Sequence, residues 1–229
     1  MKTILLSLVL SLFTLSSVSA APETPSEVGA PQQDDFRSIT QLILKWGYFR
    51  DHKMWEELQD TFHPGGQINV TWYTGDIEGF VQGSIKMDKS GVKSMHVMYP
   101  SIVEIQGDRA IAITPTTISG RKEGDGPALD LTSAAQFFDF LEKKDNRWRI
   151  SRRHAIYQKD RMDSLEPSFV FWLMSFFIDT DAYPTEYKYL AFGLEQGGLK
   201  IQPGQIVDNS DQSRALYREG KDWLAQERP

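Results

Sequence analysis

Residues 93–105, 109–119, 129–143 and 147–157 form four runs in which β-branched and aromatic residues alternate with polar ones. Such period-two runs form strands, because successive side chains of an extended backbone point to opposite faces. The links between them read Gln106-Gly107-Asp108, Gly124-Asp125-Gly126 and Asp145-Asn146, compositions that favour hairpin turns. Four strands joined this way make an antiparallel meander.

What precedes the meander is mostly helical. Asp34 or Asp35 is placed to cap a helix in which Phe36, Ile39, Ile43 and Gly47 recur at helical spacing, and Asp51 continues that stripe. A second short helix, 54–61, ends at His63-Pro64-Gly65-Gly66, where proline and paired glycines break it. Residues 67–73 read as a strand, and a looser helix follows to Lys89 before Ser90-Gly91. The order predicts an α+β fold, a curved antiparallel sheet with N-terminal helices on one face and a pocket on the concave side.

The flanks differ from this core in composition. Residues 1–20 carry one charge, Lys2, an apolar run from Ile4 to Leu15 and the small-residue exit Val18-Ser19-Ala20. That is the pattern of a cleaved secretory signal peptide, too short to span a bilayer, and it predicts a secreted protein. Residues 21–33 are rich in Pro, Glu and Gln and are expected to be a flexible linker, since they have little apolar surface to offset their ordering. The main domain is expected over 34–163, and 164–229 form a helical C-terminal extension. Its aromatic stretch 169–178 is expected to pack over the mouth of the domain or on a partner subunit, with further helices at 186–196 and 210–225.

Charge and cysteine content remove whole function classes. The formal net charge is -6 and becomes -7 without Lys2, which argues against a nucleic-acid binder. With no cysteine there are no disulfides, thiolate nucleophiles or thiolate metal sites. No G-x-S-x-G elbow, P-loop or dinucleotide glycine motif is present. His52 and His63 flank the second helix, but their spacing with Asp51 matches no standard ligand pattern, and no metal is expected.

The candidate chemistry centres on Asp51 and His96. Two readings fit Asp51: a cap for the helix that starts at His52 or Lys53, or a buried carboxylate that needs a partner such as a histidine. His96 stands in the apolar strand Ser94-Met95-His96-Val97-Met98-Tyr99, where it is either a satisfied core histidine or a general base. On strict alternation Trp148, Ile150, Arg152, His154 and Ile156 share one face of the last strand, which points Arg152 and His154 into the cavity. Arg152 there either stabilises a substrate anion or pairs internally with Asp139 or Glu104, and a strand bulge would bring in Arg153 instead. The pocket wall is assigned to Tyr48, Trp55, Trp72, Tyr99 and Phe138. Asn69-Val70-Thr71 is an N-glycosylation sequon within a predicted strand.

Several segments resemble one family in their order and spacing: Tyr48-Phe49-Arg50-Asp51-His52-Lys53-Met54-Trp55, Met95-His96, Val103-Glu104-Ile105-Gln106-Gly107-Asp108-Arg109-Ala110, Phe137-Phe138-Asp139-Phe140 and Trp148-Arg149-Ile150. The chain resembles the SnoaL-like branch of the nuclear-transport-factor-2-like superfamily over about residues 36–163. That resemblance implies a cone-shaped α+β barrel enclosing a pocket, often dimeric or trimeric. Members whose helix-end aspartate and strand histidine match Asp51 and His96 use the pair for cofactor-free elimination, and a final-strand arginine is matched by Arg152. The second histidine of the dehydratase members has no counterpart, the strand reading Thr132-Ser133-Ala134. The implied function is a lyase or isomerase for a hydrophobic small molecule; the alternative is a non-catalytic binding or scaffold protein.

Overall fold

The computed structural model describes residues 30–89, 93–122, 128–177, 180 and 182–226. The expected signal peptide, most of the linker and the turn at Gly124-Asp125-Gly126 lie outside the described residues. In chain order the elements begin with α1 (Ala30–Asp51), α2 (Trp55–Asp60), β1 (Phe62–Val70), β2 (Tyr73–Asp76) and α3 (Ile77–Lys89). The sheet continues with β3 (Lys93–Met98), β4 (Ile102–Gln106), β5 (Arg109–Lys122), β6 (Leu129–Lys144) and β7 (Arg147–Ser164). The extension holds α4 (Phe169–Ser175), α5 (Lys188–Gln196), β8 (Ile206–Val207) and α6 (Asp211–Ala225).

One eight-stranded curved sheet, in the order β2-β1-β7-β6-β5-β3, carries the fold, with β4 also on β5 and β8 on β7. The meander is antiparallel as expected, and Asp145 and Asn146 turn the β6–β7 hairpin with φ of 50° and 57°. The sheet is nonetheless mixed, because β1 and β8 each run parallel to β7. Three expected boundaries shift. Helix α1 starts at Ala30, inside the segment expected to be linker. His63-Pro64-Gly65-Gly66 lies within β1 and produces a register shift against β7, so these breakers distort a strand instead of making a loop. Residues 93–105 split into β3 and β4, with Tyr99-Pro100-Ser101 between them, and both halves pair with β5.

The principal core lies on the concave side. Ile39, Ile43 and Trp46 of α1 and Ile77, Phe80 and Val81 of α3 pack there against Ala135, Phe137 and Leu141 of β6. A second core lies on the opposite face, where Leu216 and Leu224 of α6 meet Ile111, Phe138, Phe140 and Ile156. The sheet therefore has helices on both faces, not one. Ser210 caps α6 by accepting a hydrogen bond from the Ser213 N–H at 3.0 Å.

The two faces are set by one extra residue in β7. Leu141 pairs with Ile150 but Phe140 pairs with Arg152, so Ser151 forms a bulge. Beyond it alternation is inverted: Arg153, Ala155 and Tyr157 join Trp148 and Ile150 on the concave side, and Arg152, His154 and Ile156 turn to α6. Arg153 donates to both oxygens of Asp139 at 2.6 and 2.7 Å, with both side chains 0% exposed.

The aromatic helix α4 does not cover the mouth of the domain. Phe169, Val170, Trp172, Leu173, Phe176 and Phe177 are exposed. The covering role falls to α5, whose Leu190 and Ala191 are buried in the principal core. Among the described residues no helix is long and apolar enough to cross a membrane.

Candidate active site

Helix α1 ends at Asp51 because Lys53 takes a left-handed backbone, φ 59°, and the Met54 N–H returns to the Phe49 carbonyl at 3.0 Å. A carboxylate at the negative end of a helix dipole is poorly placed unless donors reach it. His96 of β3 supplies two. Its backbone N–H donates to Asp51 Oδ2 at 2.6 Å, and its Nδ1 lies 2.7 Å from Asp51 Oδ1. Asp51 is therefore not a cap for α2, which has Met54 at its N-cap and no side-chain capping bond.

Gly47 allows the close approach of α1 to β3 that this contact needs. A Cβ there would stand 2.7 Å from Met98 Cγ. The two side chains are 10% exposed at His96 and 14% at Asp51. A carboxylate accepts and cannot donate, so Nδ1 carries the hydrogen and Nε2 is the nitrogen left for a reacting group. Trp46 sets its edge against the imidazole, ring centres 5.7 Å apart.

His96 forms part of the wall of a cavity of about 470 Å³. The wall is mostly apolar, with Trp46, Val70, Trp72, Phe80, Phe137 and Leu131 from the main domain, and α5 adds Leu190, Phe192 and Leu194. That size and lining suit a small organic molecule. Polar side chains are the minority: Arg50, Thr71, Ser94, Ser119, Arg121, Tyr157 and Gln196 besides His96. The Tyr157 hydroxyl accepts from the Thr71 N–H at 2.8 Å and also bonds the Thr71 hydroxyl. Burial pushes this phenol up to about 12, so it stays neutral.

Of the residues assigned to the pocket from sequence, Trp72 and His96 line this cavity, and Asp51 stands behind His96. Phe138 faces α6 while its neighbour Phe137 lines the cavity, an inversion of one residue along β6. Tyr48 is exposed and stacks on His52, with ring centres 3.9 Å apart. Tyr99 is also exposed, its hydroxyl 3.3 Å from that of Thr117. Trp55 lies beneath the Arg50 guanidinium at 5.7 Å and does not line this cavity.

Arg152 and His154 are corrected in the same way. The Ser151 bulge turns Arg152 to Glu219 of α6, 2.6 Å away, and over the Phe140 ring. His154 packs beside Phe140, and burial, helped by the charge of Arg152, lowers its pKa to about 4. Neither lines the cavity. Asn69 lies in β1, where its Oδ1 accepts from Thr74 at 3.1 Å and Gln205 at 3.2 Å. Among the described residues no three His, Asp or Glu side chains converge as a metal site.

Arg50 is a charged cavity residue outside the sequence expectations. The buried stripe of α1 is Ile39, Ile43, Trp46 and Arg50, spaced at four, three and four. A stripe drawn through Gly47 leads to Asp51, whereas one drawn through Trp46 leads to Arg50. The signal was present in the spacing.

Comparison with known proteins gives the lineage. The model of the SnoaL-like domain matches residues 32–154. A protein named pea pathogenicity protein 2 from Fusarium vanettenii is 31% identical over 202 residues, covering 81% of this chain and 84% of its own length. A PEP2-like protein of the same fungus is 30% identical with the same coverage. Among solved structures, a hexachlorocyclohexane dehydrochlorinase superposes with a TM-score of 0.52 over 60% of this chain and 94% of its own, at 12% identity. That identity carries the fold alone. With the domain model matching more than half of its length, the chain belongs to the SnoaL-like domain family.

Proposed function

We propose that the protein is a cofactor-independent lyase or isomerase acting on a hydrophobic small molecule. The observation that carries this reading is the double hydrogen bond from His96 to Asp51, made on the wall of a mostly apolar cavity. His96 is the general base: Nε2 takes a proton from carbon while Asp51 holds Nδ1–H and fixes the ring. In an elimination the electron pair of the broken C–H bond forms the new double bond, and the leaving group departs with its own pair. In an isomerisation the imidazolium returns the proton to a different carbon.

Two further parts belong to the same reading. Residues 1–20 are a leader cleaved after Ala20, which makes the mature protein a secreted one. N-terminal sequencing of the exported protein tests this, and a start at Met1 would refute it. Met95 and Val97 are exposed on the outward face of β3 and support self-association as a homodimer or homotrimer.

The catalytic reading is tested by identifying small molecules that co-purify with the protein and following their mass on incubation. Loss of water or acid, or isomerisation at constant mass, is expected with the native protein and not with His96→Ala. Undiminished turnover by a folded His96→Ala protein would overturn the role of the dyad. A second reading, a binding protein without turnover, is favoured by α5, which closes the cavity with three apolar side chains. It prevails if the co-purifying molecule is held unchanged.

A further inference from the structure

Arg50 is an arginine that the fold buries without a carboxylate in ion-pair contact among the described residues. Only 7% of it is exposed, and it lines the same cavity as His96. Its contacts are soft: one terminal nitrogen donates to Met87 Sδ at 3.5 Å, and the guanidinium lies 5.7 Å from the Trp55 ring centre. The nearby acids are already committed. Both oxygens of Asp51 are taken by His96, and Asp88 pairs with Lys53 at 2.7 Å. Among the described residues no ion pair is formed by Arg50.

The other arginines in comparable places behave differently. Arg121, also on the cavity wall, is held by both oxygens of Asp130 at 2.6 and 2.7 Å. Arg153, fully buried beside Trp46, has Asp139. A buried cation without an anion is costly, and burial lowers the pKa of Arg50 while the charges of Asp51 and Asp88 oppose that shift. A cation kept at such a cost on a cavity wall is completed by an anion that arrives in the cavity.

We infer that the cavity binds an apolar molecule bearing a carboxylate, with the carboxylate on Arg50 and the apolar body against Trp72, Phe80, Phe137 and Leu190. This names the substrate class for the proposed lyase and rests on that reading for the claim that the ligand is a substrate. A carboxylate anchored at Arg50 holds the remainder of the molecule within the cavity that His96 borders, and its orientation is set by the fork of the guanidinium.

The experiment compares acid and amide pairs of equal shape, benzoate with benzamide and 2-naphthoate with 2-naphthamide, by calorimetry and thermal shift on the full chain at neutral pH. The acid of at least one pair is expected to bind about 10- to 100-fold more tightly than its amide, the difference that one charge-assisted contact makes. Arg50→Met is expected to abolish the preference while leaving amide binding in place. Its melting temperature should equal or exceed that of the native protein, since an unpaired buried charge has been removed. Arg50→Lys keeps the charge and should keep part of the preference if Arg50→Met fails to fold.

Equal affinity for acid and amide in the native protein, no binding of either acid, or a preference surviving in Arg50→Met would each overturn the inference. His96→Gln separates the two proposals: it should lose turnover but retain the carboxylate preference. A catalytic failure at His96 therefore leaves the Arg50 test standing, and the reverse also holds.

Discussion

His96 and His154 are both strand histidines set edge-on to an aromatic ring, Trp46 at 5.7 Å and Phe140 at 6.3 Å, and the sheet gives them opposite surroundings. His96 stands on the concave side with its Nδ1 on a carboxylate and a cavity beside it. His154 stands on the α6 side, where Nδ1 is buried with no hydrogen-bond partner among the described residues, and burial holds the ring neutral down to about pH 4. Burial beside an aromatic ring does not make a histidine a base. A carboxylate that sets the tautomer and open volume for a reactant distinguish the first from the second.

The contrast breaks most directly at His96. His96→Ala is expected to lower turnover on a found substrate by roughly 10²- to 10⁴-fold, with an unchanged circular dichroism spectrum. Asp51→Asn should give a smaller loss, because the base remains but its ring is held less well. If His154→Ala were as damaging to kcat at full stability, the distinction between the two faces would fail.

Next in size is the buried pair on the concave side. Asp139→Ala leaves the Arg153 guanidinium fully buried without its anion and should cost about 3–5 kcal/mol in urea unfolding. Replacing both by apolar residues of similar volume should recover much of that loss. A cost below about 1 kcal/mol for the single change would mean that water reaches Arg153.

The α6 side is expected to answer in stability alone. Gly220 lets α6 approach the sheet, since a Cβ there would stand 2.5 Å from Phe138 Cζ. Gly220→Ala should therefore lower stability by about 1–3 kcal/mol through overpacking, with kcat unaltered. A change in kcat at constant stability would show that the two faces are coupled.

The pH dependence of His154 gives a sharper test of the same side. Its folded pKa of about 4 lies below the ordinary 6.5, from burial first and the charge of Arg152 second, with Glu219 opposing. Between those values the unfolded chain binds the proton and the folded chain does not, so stability falls as pH drops from 6.5 towards 4. The contribution is about 1–3 kcal/mol, and His154→Phe should flatten that limb in urea melts across the range. An unchanged slope would show that His154 takes up its proton in the folded state.

Much of the fold was legible because it is written in local patterns. The period-two runs and the pairs Asp145-Asn146 and Gly107-Asp108 place the meander, and the Asp51 and His96 positions follow from helical and strand spacing. The errors share a cause. A bulge at Ser151 and the choice between Phe137 and Phe138 each move a side chain across the sheet, and strict alternation carries no record of where one residue is inserted. The parallel pairing of β1 with β7 was equally invisible, since the two strands lie far apart in sequence.

Element types, the meander and the residue types available for proton transfer can be read from local sequence, because backbone preference and hydrophobic period act over a few residues. Long-range packing brings Asp51 to His96 and Arg153 to Asp139, turns Arg152 away from the cavity and leaves Arg50 facing it with no ion pair among the described residues. Each of those outcomes depends on distances between segments remote in the chain, and such distances are set by how the two faces of the sheet are packed.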